Sequence, residues 1–246
     1  MAHGPLDWLY GLAQFGIKLG LDNIRAVLDA LGHPERTFVA VHVAGTNGKG
    51  SVTAMVHQAL VAAGIPAARY TSPHLVDLRE RFVIGTSPVD PETLDAALHR
   101  LFAVIDRLVA DGSLPHLPTF FEATTALAFD LFRATGVQVA VIEVGLGGRF
   151  DATNVIEAPV GAITTIGLDH QQQLGHTLEA IAFEKAGIIK PGMRVVLGRI
   201  APGPRAVIER VAADRHAVLI DAIEAPTTTT VTDGRAQVTI DTSHRR

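Results

Sequence analysis

The residues Gly45-Thr46-Asn47-Gly48-Lys49-Gly50-Ser51 speak most directly of chemistry. Three glycines let a backbone curl and turn its N–H groups inward, as a phosphate cradle requires. Lys49 can pair with the β- and γ-phosphates of a nucleotide, and the Ser51 hydroxyl can coordinate Mg2+. The spacing departs from the common phosphate-loop pattern. The first glycine lies too close to Gly48-Lys49, and Gly50 separates Lys49 from Ser51. The alternative is a Gly-rich turn that binds nothing. The flanks weigh against it, with a strand-like run before and a helix-like run after, whose N-terminus adds a partial positive charge.

Other candidates stand further along the chain. Glu143 closes the apolar run Val137–Ile142. A carboxylate at the end of a buried strand lies where open α/β sheets gather ligands, and it is a hard oxygen donor suited to Mg2+. An exposed strand-end glutamate before a glycine turn fits the same residues equally well. His170, in Gly167-Leu168-Asp169-His170, reads by itself as a solvated or capping residue. Its imidazole would favour a softer metal than Mg2+, and Asp169 is placed to orient it. Lys185, in Glu184-Lys185-Ala186-Gly187, suits a helix C-terminus. Phe120 and Phe121 open an apolar helix and serve either packing or the stacking of a planar ring.

The elements that must position these residues follow from periodicity. Leu6–Phe15 is amphipathic, and Asp22 is a good cap for a helix running to Leu31. Strand-like runs cover Phe38–Ala44, Ala67–Thr71, Val137–Glu143, Val160–Ile166, Arg194–Leu197 and Ala217–Ile220. Helix-like segments cover Ser51–Ala63, Pro91–Asp111, Pro118–Thr135, Leu178–Ala186 and Pro204–Arg215. This alternation predicts an α/β fold of P-loop type, a mostly parallel sheet with helices on both faces. From Glu224 the texture changes. Thr227–Thr232 and Arg235–Thr242 alternate around Asp233-Gly234, a β-hairpin signal. The expected division is a nucleotide-binding unit over 1–223 and a small C-terminal β-region over 224–246.

Composition sets outer limits. With 246 residues, 48% hydrophobic and 19% charged, the chain can bury a sizeable core. Its net charge of -4 argues against nucleic acid as a partner. No cysteine is present, so disulfides, thiolate nucleophiles and zinc–thiolate sites are excluded. No apolar run is long enough to span a bilayer, and the first residues do not read as a secretory signal. The expectation is a cytoplasmic protein without membrane contact.

The segment His42-Val43-Ala44-Gly45-Thr46-Asn47-Gly48-Lys49-Gly50-Ser51-Val52 resembles the nucleotide loop of folylpolyglutamate and dihydrofolate synthases, members of the wider Mur-ligase-like group of ATP-dependent amide ligases. The resemblance extends from Trp8-Leu9-Tyr10 and Phe15-Gly16-Ile17-Lys18-Leu19-Gly20-Leu21 to about Gly198, including Glu143-Val144-Gly145-Leu146-Gly147-Gly148-Arg149-Phe150-Asp151-Ala152-Thr153-Asn154. It implies ATP on Gly45 through Ser51 and two Mg2+ ions, held by Ser51, Glu143, His170 and a carbamylated Lys185. It gives Lys49, His170 and Lys185 catalytic roles. It also implies that Ser72, Pro73 and His74, with Phe120, Phe121, Asp151 and Ala152, meet a folate or dihydropteroate. The implied reaction passes the γ-phosphoryl of ATP to the substrate carboxylate, and L-glutamate's amine then displaces phosphate. The substrates are small molecules, and the complete family enzyme is expected to be a monomer.

Members of that family usually carry a second α/β domain, which supplies adenine, ribose and glutamate contacts. It does not appear in this sequence, so a fragment, a truncated frame and a natively short protein all remain open. Three further readings compete. Another Mur-type amide ligase is disfavoured by Gly50 and by Ser72-Pro73-His74, and a generic nucleotide hydrolase explains the loop but not the later motifs. A non-catalytic nucleotide-binding fragment stays open alongside the ligase.

Overall fold

The computed structural model describes residues 4–246 except 17, 19, 115, 223–226, 233–234 and 241–246. Its centre is an eight-stranded sheet. The strands are β1 (Val39–Ala44), β2 (Ala67–Tyr70), β3 (Phe82–Ile84), β4 (Ser87–Pro88), β5 (Val139–Glu143), β6 (Val160–Ile163), β7 (Arg194–Leu197) and β8 (Val218–Asp221), in the order β4-β3-β2-β5-β1-β6-β7-β8. From β2 to β8 all neighbours pair parallel, and β3 and β4 add antiparallel at one edge. In β5, Ala140 through Glu143 are all buried, the signature of a strand covered on both faces.

The helices are α1 (Pro5–Gly11), α2 (Asp22–Ala30), α3 (Lys49–Ala62), α4 (Pro91–Ala110), α5 (Phe120–Ala134), α6 (Gln171–Leu174), α7 (Leu178–Ala186) and α8 (Pro202–Asp214). Helix α3 links β1 to β2, whereas α7 and α8 step the opposite way along the sheet. Right-handed crossovers therefore put α3 on one face and α7 and α8 on the other. Burial in α4 falls on Leu94, Leu98, Leu101, Ile105 and Leu108, a single stripe at helical spacing. Helix α5 differs, since every residue from Glu122 to Phe132 is buried. Phe38 fastens it to the sheet, its ring 5.8 Å from Phe129 and 5.9 Å from Phe132.

The expected elements are present, with differences at their ends and one at the sheet edge. Helix α3 begins at Lys49 rather than Ser51, so Gly50 sits in its first turn and not in the loop. Asp22 lies inside α2, and Leu21 occupies the cap position without a side-chain bond. Helix α5 starts at Phe120 because Thr119 caps it. The Thr119 hydroxyl accepts from the Glu122 amide at 3.2 Å, and the Glu122 carboxylate accepts from the Thr119 amide at 2.7 Å. Strands β3 and β4 and the short α6 were not expected. Thr227–Thr232 and Arg235–Ile240 form the anticipated antiparallel hairpin, a separate two-stranded sheet. Among the described residues, no helix is long and apolar enough to cross a membrane.

Candidate nucleotide and substrate site

Strand β1 sits centrally, and the chain leaves its carboxyl end through Gly45 and Gly48, at φ 146° and 84°. These are the two loop positions where the backbone needs glycine. The loop is pinned from β6's side of the sheet. The Thr46 amide donates to the Thr165 carbonyl at 2.8 Å, the Asn47 amide to the Thr165 hydroxyl at 3.0 Å, and the Thr164 hydroxyl to the Asn47 carbonyl at 2.7 Å. The amides of Thr46 and Asn47 are thus already engaged, which corrects the expectation that the whole loop offers inward N–H groups. The amides left without an intrahelical partner are those of α3's first turn, at Lys49, Gly50 and Ser51. They combine with the helix dipole into an anion-binding end.

Two charged side chains approach this region, one at the helix turn and one at the start of the loop. A Cβ placed on Gly50 would stand 3.6 Å from both carboxylate oxygens of Glu143, so that carboxylate lies over the first turn of α3. That approach is ordinary contact distance and Gly50 has no left-handed dihedral angle, so neither space nor backbone demands a glycine there. Glu143 is buried, and burial raises its pKa. The Ser72 amide, donating at 3.2 Å, and the nearby Lys49 and Arg81 charges pull it back. Lys185 is buried as well, and its ammonium donates to the Gly45 carbonyl at 2.9 Å. Burial, then the charge of Lys49, lowers its pKa to about 8, against the pull of Asp169 and Asp151. Lys49 itself donates to the Thr46 carbonyl at 3.2 Å. His170 caps α6 in a left-handed conformation, half exposed, with Nε2 3.6 Å from Asp169.

The donors present suit a magnesium ion that arrives with a nucleotide. Among the described residues no group of three or more histidine or acidic side chains is arranged to hold a metal. Mg2+ binds through one or two carboxylates, phosphate oxygens and water. A buried carboxylate beside an anion-binding helix turn meets that need, and Ser51 lies in the same turn.

Next to this turn lies a cavity of about 290 Å3, lined by Ser72, Pro73, Phe120, Phe121, Asp151, Ala152 and His170 from the expected set. His74 does not line it. Its ring stands behind Phe120, centroids 6.4 Å apart, and its Nδ1 accepts from Arg81 Nε at 2.8 Å. Phe120 stacks on Tyr10 at 5.9 Å, and the Phe121 ring covers Gly145, where a Cβ would come within 2.4 Å of it. Both phenylalanines therefore pack and also present ring surface to the cavity. Asp151 is fully buried, and burial pushes its carboxyl up to about 6. It accepts from the Leu146 amide at 2.8 Å, from the Thr153 amide at 3.0 Å and from the Thr153 hydroxyl.

Sequence reasoning passed over Arg81, Lys18 and Glu122 as site residues, although all three line the cavity. Arg81 is buried, its guanidinium 5.2 Å from the centre of the Phe120 ring, with Nη1 unpartnered. A buried arginine with an idle nitrogen signals a ligand acceptor, but only its three-dimensional surroundings reveal that.

The sheet order and the loop after β1 define a P-loop-type α/β protein. No family model matches the chain. It is 42% identical over 212 residues to the dihydrofolate synthase/folylpolyglutamate synthase of Bacillus subtilis, covering 86% of this chain and 49% of that protein. Among solved structures, the Mycobacterium tuberculosis folylpolyglutamate synthase complexed with ADP and AMPPCP superposes with a TM-score of 0.88 at 34% identity, covering 96% of this chain and 54% of that one. A folylpolyglutamate synthase complex with AMPPCP and folate gives 0.88 and 34%, covering 97% and 59%. The chain belongs to the folylpolyglutamate synthase/dihydrofolate synthase family and spans about half the length of the relatives it matches.

Proposed function

We propose that the chain is the ATP-binding part of a ligase that joins L-glutamate to the carboxylate of a folate or dihydropteroate through an acyl phosphate. One observation carries this reading. Ser72 lines the aromatic cavity while its amide holds Glu143, the carboxylate lying over α3's first turn. A ring-bearing substrate in the cavity and a triphosphate on α3 would therefore meet at Ser72 and Glu143. The names of the relatives, and their complexes with AMPPCP and folate, support the same pairing.

Phosphoryl transfer needs alignment and charge neutralisation more than a protein nucleophile. The free amides of Lys49, Gly50 and Ser51 receive phosphate oxygens, and the Lys49 ammonium swings from the Thr46 carbonyl to the β- and γ-phosphates. Two Mg2+ ions, when bound, neutralise the phosphates and the reacting carboxylate. Ser51 and Glu143 would hold the first. His170 and Lys185 would hold the second, Lys185 as the carbamate. An amine whose pKa sits near 8 is free base often enough to take up CO2. The substrate carboxylate attacks the γ-phosphorus and ADP leaves. The glutamate amine then adds to the acyl phosphate, phosphate departs with the acyl–oxygen electron pair, and the amine loses a proton. The Phe120 and Phe121 faces would seat the pterin ring, with Asp151 accepting from its N–H groups.

In this reading residues 1–223 form the nucleotide-binding unit and 224–246 a small β-region, and the complete enzyme acts as a cytoplasmic monomer. Calorimetry tests the binding half. The chain should take up ATP with Mg2+ and, separately, dihydropteroate; no ATP uptake at millimolar concentration would falsify the assignment. ADP release that requires both dihydropteroate or tetrahydrofolate and glutamate tests the ligase half. ATP uptake without ligation under any substrate mixture would mark a non-catalytic nucleotide-binding fragment.

A further inference from the structure

His42 lies on β1, wholly buried, and nothing in the reaction above uses it. Its Nε2 is 2.9 Å from the Thr153 hydroxyl, and its Nδ1 is buried without a partner. The Thr153 hydroxyl in turn donates to Asp151 Oδ1. A hydroxyl has one proton. Because Thr153 gives that proton to Asp151, its oxygen can only accept from His42, so His42 must carry its proton on Nε2. The unpartnered Nδ1 is then a bare lone pair, which costs less to leave buried than an orphaned N–H. The three side chains form one chain of donors, each pointing toward the carboxylate in the cavity wall.

We propose that His42 is a positioning residue, which acts through the Thr153 hydroxyl to fix the orientation of the Asp151 carboxylate as an acceptor for an N–H group of the bound ligand. A carboxylate offers about four acceptor positions. The Leu146 amide, the Thr153 amide and the Thr153 hydroxyl fill three, on two different oxygens. The Gly145 amide bonds the carboxylate as well, and Asp151 still lines the cavity, where a ligand N–H can share an oxygen with these donors. If His42 no longer donated to it, the Thr153 hydroxyl would be free to rotate, and Asp151, still held by the two amides, would lose the bond that fixes which face of its Oδ1 stays open. The ligand this favours carries an N–H flanking a flat ring, as a pteridine does, so the inference rests on the cavity reading above.

The experiment pairs two substitutions with one spectrum. In His42→Gln the side-chain amide nitrogen can reach the Nε2 position and restore the donor, whereas His42→Leu cannot. Dihydropteroate should bind His42→Gln like wild type. It should bind His42→Leu about three- to tenfold more weakly, the worth of one buried hydrogen bond. ATP binding should be equal in all three proteins. Equal dihydropteroate affinity in His42→Leu and wild type would overturn the proposal, as would loss in both variants alike. Nitrogen NMR of the wild-type imidazole is an independent arm: protonation on Nε2 is expected, and protonation on Nδ1 would overturn the relay. That arm decides the relay even if wild type takes up no dihydropteroate, a result that would sink the cavity reading instead. It also serves if His42→Leu does not fold.

Discussion

Replacing Gly45 by alanine probes the contact that ties the loop to β6's side of the sheet. A Cβ at Gly45 would stand 1.9 Å from the Thr164 hydroxyl oxygen and 3.1 Å from both the Cβ and the backbone nitrogen of that residue. The hydroxyl must leave, taking with it its 2.7 Å bond to the Asn47 carbonyl. The backbone at φ 146° is itself hostile to an L side chain, at about 1–3 kcal/mol. Adding about 1 kcal/mol for the lost hydrogen bond gives about 2–4 kcal/mol. In a domain of this size each kcal/mol lowers the melting temperature by about 2–4 °C, so a fall of about 4–16 °C is expected. Gly64→Ala is the control. Gly64 has φ 77° but nothing within 4 Å of an added Cβ, so only the backbone cost of about 1–2 kcal/mol applies. Scanning calorimetry on both variants and ATP titration of each make the comparison. If Gly45→Ala melts with Gly64→Ala and binds ATP like wild type, the reasoning about the loop anchor is wrong.

Lys49→Ala should abolish ATP-dependent turnover in a complete enzyme and weaken ATP uptake by this chain; wild-type turnover in that variant would refute the assigned role. Gly145→Ala should leave ATP binding intact and reduce dihydropteroate affinity, because a Cβ 2.4 Å from Phe121 Cζ forces that ring to move within the cavity wall. Its melting temperature should also fall, since the displaced ring is rigid and packs beside buried Tyr70; a titration with both ligands checks the pattern. The pH dependence of stability follows from two buried groups with opposite signs. His42, lowered from 6.5 to about 3 by burial and then by Lys190, contributes stability above pH 6.5 that is lost as pH falls toward 3. Asp151, raised from 3.8 to about 6, contributes stability below pH 3.8 that is lost as pH rises through 6. Between pH 3.8 and 6 the two slopes oppose each other. His42→Gln should unmask the second, so its urea midpoint should rise relative to wild type as pH drops from 7 to 4. Parallel profiles for the two proteins would refute the balance.

Much of the nucleotide end was legible in sequence because its determinants are local. A buried run, two turn-forming glycines, a lysine and a helix are contiguous between Phe38 and Ala63. Glu143 was legible for the same reason, as the polar end of an apolar run. The loop's anchoring was not. The donors and acceptors that hold Thr46 and Asn47 belong to Thr164 and Thr165, more than a hundred residues away in the chain. Neither threonine bears a pattern that distinguishes it from a strand residue. Strands β3 and β4 escaped because three residues and two residues carry no readable alternation, and Ser87-Pro88 reads as a turn until a neighbouring strand fixes it. Arg81 escaped because an arginine in sequence is by default a surface residue. In sequence the Phe120–Phe121 pair fits packing and ring contact equally, and the cavity shows why: the rings pack against the core and also line the hollow.

The antiparallel addition at the sheet's margin has a consequence for how the protein behaves in company. An open row of backbone donors and acceptors invites a second chain to extend the sheet. Here that margin is only two residues wide, and one of them, Pro88, has no N–H to offer. An incoming strand would find too few partners to register against. Strand β4 thus works as a stopper, so that crowding during synthesis does not lengthen the sheet from that side into an aggregate.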